Sequence, residues 1–223
     1  MIRKLGFGLL WLGFAIYAFG FAPPNQPDTL DLIVRLSSGQ WDAINPLLVA
    51  EFNIMGIWPM IYGAVLYADG HGQKLPAWPF AALSFGVGAF ALLPYLALRQ
   101  PNPTFSGEKS RLLQFWDSRL LGVVLSLGAI ACLAYGLSQG DWSAFVAQWR
   151  SDRFVHIMTL DFCLLSLLFP ALLGDDLRRR GLTLASGLGA IALVPLIGPL
   201  VYLCLRPSLP GATRSSETVS TAS

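Results

Sequence analysis

The chain has 223 residues, of which 54% are hydrophobic and only 13% charged, with a mean hydropathy of +0.57. Soluble domains carry roughly 25% charged residues, so this composition leaves too little polar surface for a water-facing globule and implies an all-α polytopic membrane protein. A net charge of +2 lacks the basic patch that nucleic-acid binding requires.

A helix needs about 20 mostly apolar residues to cross a bilayer. Six stretches satisfy this: Leu5–Ala22, Leu47–Tyr67, Trp78–Leu98, Leu120–Ser138, Phe154–Leu173 and Leu182–Cys204. Trp41, Trp78, Tyr95, Trp116, Trp142, Trp149 and Tyr202 fall near their ends, as an interfacial belt requires. The first stretch follows Arg3 and Lys4 and is too long for a signal-peptide core, so it reads as a retained anchor.

With six spans, Lys and Arg divide seven against eight between the two sides, and the positive-inside rule leaves the orientation open. Between the spans, Trp142, Phe145, Val146 and Trp149 recur at helical spacing and predict a short interfacial helix; Leu30, Ile33 and Val34 predict another. A loop with Pro101, Pro103 and Gly107 separates the halves, and the Ser/Thr-rich tail from Pro207 to Ser223 is expected to be disordered. The expected organisation is therefore a first repeat over 1–100, a basic connector over 101–119, a second repeat over 120–206 and a polar tail over 207–223.

Two blocks repeat at one offset of 101 residues. Gly86–Pro94 matches Gly187–Pro195, and Leu36–Ala43 matches Leu137–Ala144. Three spans per half would place the second repeat inverted relative to the first, an arrangement found in transporters.

Ionisable groups inside a span cost roughly 2.5–3.5 kcal/mol at the helix centre on insertion scales and mark candidate sites. Asp161 is the deepest. Glu51 and Asn53 lie near the start of the second span and His156 near the start of the fifth, where each can also reach the interface. His156, Thr159, Cys163 and Ser166 form one stripe, and Asp161 points away from it. Polar groups on two faces predict a central position for the fifth span.

Pro59, Pro94, Pro170, Pro195 and Pro199 are expected to kink their helices. Ser84-x-x-x-Gly88 and Ala185-x-x-x-Gly189 allow close helix packing.

No nucleotide-binding, hydrolase or metalloprotease motif is present. Cys132, Cys163 and Cys204 lack metal-site spacing, and Asp175-Asp176 before Arg178-Arg179-Arg180 reads as a charged helix end. No metal or cofactor is expected. Ligation of a pigment by a single histidine ranks below a capped interfacial histidine.

Phe154-Val155-His156-Ile157-Met158-Thr159-Leu160-Asp161-Phe162, Phe169-Pro170, Asp175-Asp176 and Pro195–Leu203 with Arg206-Pro207 resemble an uncharacterised family of cyanobacterial and plastid multi-pass proteins. The resemblance runs over most of the chain after Asn45. It implies a photosynthetic membrane, thylakoid or plasma, and no established activity. Three functions follow in order: a non-enzymatic factor that binds, assembles or stabilises membrane components, possible partners being other complex subunits; a carrier lined by Glu51, Asn53, His156 and Asp161; and a lipid- or pigment-modifying enzyme.

Overall fold

A computed structural model describes residues 2–210, and all regular structure among them is helical. The part of the expected tail beyond Pro210 lies outside the described residues. In chain order the helices are α1 (Ile2–Gly20), α2 (Thr29–Ser38), α3 (Pro46–Asp69), α4 (Trp78–Val87), α5 (Ala89–Leu98) and α6 (Arg111–Trp116). They continue with α7 (Arg119–Gln139), α8 (Trp142–Ser151), α9 (Arg153–Leu168), α10 (Pro170–Arg179), α11 (Gly187–Ile191) and α12 (Ile197–Leu205).

Four helical segments are long and apolar enough to cross a membrane: α1, α3, α7 and the run from Arg153 to Arg179 that joins α9 to α10. Among the described residues the protein is therefore all-helical, with four candidate membrane spans. Local signals explain their starts. Asn45, Ser118 and Asp152 cap α3, α7 and α9 by accepting backbone N–H groups from Leu47, Leu120 and Phe154, each cap contributing about 1 kcal/mol. Both short amphipathic helices form where the hydrophobic spacing places them, as α2 and α8.

The third and sixth apolar stretches do not form single helices. The third breaks at Gly88, whose φ of +49° suits a residue without Cβ. The sixth breaks before Ile197, where Leu196 adopts φ 58°; Pro195 and Pro199 flank that turn and deprive it of donors.

In each case the two arms fold back on one another. Gln100, after α5, donates its N–H to Gln73 Oε1, before α4, at 3.0 Å. Arg180, after α10, reaches the carbonyl of Pro207, after α12, at 2.6 Å. Each pair of short helices thus begins and ends at the same end of the molecule.

α1 runs antiparallel to α5. Arg3 donates to the Arg99 carbonyl, and Phe14 stacks on Phe90 with ring centroids 4.3 Å apart. Between them Trp11 donates its indole N–H to the Phe90 carbonyl at 3.0 Å. That carbonyl lacks its helical donor because the residue four positions on is Pro94. α7 packs on α12 in the same manner. Arg119 donates to the Arg206 carbonyl at 3.1 Å, and Gly122 lies so close to Leu203 and Cys204 that a Cβ there would come within 2.8 Å of their backbone. α1 and α7 therefore start at the same end.

The central helix is α3, not the expected α9. Its apolar window is 61% buried, against 39% for Arg153–Arg179 and 11% for α1. The polarity of α9 identified a helix with two occupied faces, but α3 is surrounded. Small residues allow this approach: Gly136 of α7 faces Ala50, and Gly63 lies under the Trp116 ring.

Candidate functional site

The four polar residues singled out from the sequence occupy separate places. Asn53 donates its amide to the Val49 carbonyl on its own helix at 2.8 Å. Glu51 faces Thr159 and Cys163 of α9, and its Oε2 is buried without a partner.

His156 is 7% exposed and uses both ring nitrogens. Nε2 lies 2.8 Å from the Tyr17 hydroxyl and Nδ1 lies 2.9 Å from the Trp149 carbonyl. A neutral imidazole with its proton on Nδ1 donates to the carbonyl and accepts from the tyrosine. The ring also stacks on Trp149 at 4.4 Å. His156 therefore fastens α1 and α8 to α9.

Asp161 faces the other way. It is 5% exposed, and its Oδ1 accepts the N–H of Ala89, the first residue of α5, at 2.8 Å. A Cβ on Gly88 would overlap the same carboxylate. A broken helix leaves its first N–H groups without intrahelical acceptors, and hydrocarbon supplies no water to satisfy them. Asp161 fills that role from another helix, about 12 Å along α9 at 1.5 Å per residue.

Beside Asp161 opens a cavity of about 670 Å³. Its walls are mainly apolar, with Phe52 and Met55 from α3, Phe85 and Phe90 from the hairpin and Phe154 from α9. Gly86, Val87 and Gly88 border it, so the irregular backbone of the break lines a cavity, where such backbone is tolerated at membrane depth. The rim is polar: Asn25, Thr29 and Arg153 stand at the end remote from the α5 C-terminus. Asp161 is the carboxylate among the lining residues.

A second constellation was not singled out from the sequence. At the C-terminal ends of α3, α5, α10 and α12, aspartates and arginines form a buried network. Arg99 binds Asp69 through Nε at 2.7 Å and also reaches Asp175. Arg179 binds Asp69 at 3.2 Å and Asp176 at 3.4 Å. Arg180 joins Asp176 to Asp117, and Arg206 reaches Asp176 at 3.3 Å.

Tyr95 donates to Asp69 and Tyr202 to Asp176, each at 2.6 Å. The two triads have the same internal spacing: the aspartate precedes its tyrosine by 26 residues and its arginine by 30. That recurrence was the available sequence signal. Burying these charges is costly, and the dense pairing offsets the cost without making the network a large net source of stability.

Burial alone would raise the carboxyl of Asp117. Arg180 beside it, with the Leu209 N–H and Lys109, instead holds it below its ordinary value. This aspartate ties the α6–α7 corner to α10 and to the segment after α12. The Asp175-Asp176 pair, expected to belong to a charged helix end, lies near the end of α10 and is engaged with arginines of both halves.

Comparison with known proteins returns no matching family model, no significantly similar curated protein and no significantly similar solved structure. The arrangement itself defines the class: a polytopic helical membrane protein with an apolar cavity at a helix break.

Proposed function

We propose that this chain is a non-enzymatic factor of a photosynthetic membrane, thylakoid or plasma, that binds a lipid-soluble component of that membrane. The observation carrying this reading is the cavity of about 670 Å³ with aromatic walls and a polar rim. Sites for small apolar molecules have this volume range and this sparse polarity. The choice of membrane rests on the resemblance of the α9 and α12 segments to cyanobacterial and plastid proteins.

The same reading takes the six apolar stretches as four crossings and two re-entrant hairpins. α4–α5 and α11–α12 each enter and leave at the end that carries the arginine network, supported by the Gln73–Gln100 and Arg180–Pro207 contacts. The halves are then duplicated in parallel, not inverted. Their equivalent parts include the Asn45 and Asp152 caps, the two hairpins and the Asp–Tyr–Arg triads.

The carrier reading needs Glu51, Asn53, His156 and Asp161 along one path, and their separate partners give it less support. A modifying enzyme needs His156 and Asp161 at one site, yet they face different helices.

The test is purification of the tagged protein from its native membrane in mild detergent, followed by extraction of bound small molecules and identification of bound subunits. A near-stoichiometric lipid, pigment or other apolar molecule supports the reading. Protein free of both molecules and partners contradicts it.

A further inference from the structure

We propose that the cavity selects apolar molecules carrying one hydrogen-bond donor, a hydroxyl or an ammonium group, and seats that donor on Asp161 Oδ2. This deepens the binding function above and rests on it. Oδ1 of Asp161 is committed to Ala89. Oδ2 accepts no hydrogen bond from the described residues, although the side chain is 95% removed from solvent and borders the cavity. Oδ2 lies over Gly88, where the broken backbone lines the cavity.

The neighbouring side chains supply no donor. The Ser84 hydroxyl is spent on the Ala81 carbonyl at 2.7 Å. Arg153 stands at the rim, about 12 Å along the helix, with its Nε on the Pro23 carbonyl. The remaining wall near the acid is Phe85, Gly88, Phe90 and Met158. A ligand that reaches the base of the cavity must therefore bring its own donor. While Asp161 is ionised, a ligand whose only polar atoms are acceptors, an ether or a ketone, sets an oxygen lone pair against Oδ2 and is rejected.

Photoreactive hexadecanol, hexadecylamine and hexadecyl methyl ether test this on purified full-length protein, with labelling of the Phe85–Phe90 peptide as the readout. The alcohol, the amine or both should label at concentrations roughly tenfold lower than the ether, the scale of one hydrogen bond to a charged group. Comparison of the first two identifies which donor the site takes.

Asp161→Asn retains an oxygen for Ala89 and turns an amide N–H toward the cavity. It should erase the preference against the ether. Gly56→Phe should block all three probes, because a side chain there points into open cavity space. Equal labelling by the three probes in the wild-type protein, still blocked by Gly56→Phe, overturns the donor rule and leaves the cavity function standing. Labelling that Gly56→Phe does not affect overturns the cavity function itself.

Discussion

The carboxylate of Asp161, midway along α9, accepts the backbone N–H of Ala89 at 2.8 Å and so caps a helix from the other half of the chain. This one bond joins the deepest acid to the break in the third apolar stretch and places both at the base of the cavity.

Gly88 is the position where that geometry tolerates least change. A Cβ there would overlap the Asp161 carboxylate and force an L-residue to φ +49°. Gly88→Ala should lower stability by at least about 1–2 kcal/mol, the cost of the left-handed region alone. Gly86→Ala, with nothing within 4 Å of the added carbon, is the neighbouring control and should be near neutral. Thermal unfolding of the two variants in detergent measures the difference.

The charge network should behave as a single unit. Arg206→Met leaves Asp176 short of one cation and removes the donors to the carbonyls of Ala64 and Trp116. Arg99→Met does the equivalent to Asp69. Removing one partner of a buried pair costs about 3–5 kcal/mol, so each variant should lose most of its folded yield on size-exclusion chromatography. Lys4→Met, on the exposed start of α1, should not.

Acid should loosen the corner that Asp117 holds. Its carboxyl lies below the ordinary value when folded, so the unfolded chain binds the proton more readily. Its contribution is full above the unfolded value of about 3.9 and is lost as pH falls through the folded value. Amide exchange at Leu209, whose N–H donates to Asp117 at 2.9 Å, should accelerate in that acidic window. Asp117→Asn should show fast exchange already at neutral pH.

The hairpins have a direct topological consequence. Lys74→Cys and Gln100→Cys, in a background lacking Cys132, Cys163 and Cys204, should be labelled by a membrane-impermeant maleimide from the same side. Six full crossings would put them on opposite sides.

What the sequence made legible was composition and period. Apolar length marked every hydrophobic segment, and helical spacing marked α2 and α8. Apolar length does not distinguish a helix that crosses from two short ones that return, because both bury some 20 apolar residues. Gly88 in particular reads as a small packing residue until its φ is known.

On the parallel duplication proposed above, the blocks that recur at 101 residues stand in a different register from the triads, which recur at 107. The Gly/Ala-rich blocks pair Gly88 with Gly189, which lies inside α11, while the structural break falls at Leu196. The Asp69–Tyr95–Arg99 and Asp176–Tyr202–Arg206 triads carry the correspondence, and their members lie too far apart in the chain for a block comparison to join them. Asp161 was identified by its depth. Its partner is a backbone N–H, which no side-chain pattern announces.

Native mass spectrometry of the wild-type protein beside Gly56→Phe, both released from native membranes, tests the central claim most directly. The wild type should carry an additional apolar molecule, and the variant, equally folded, should have lost it. An identical mass excess on both proteins, or none on either, would contradict the claim that this cavity is a binding site.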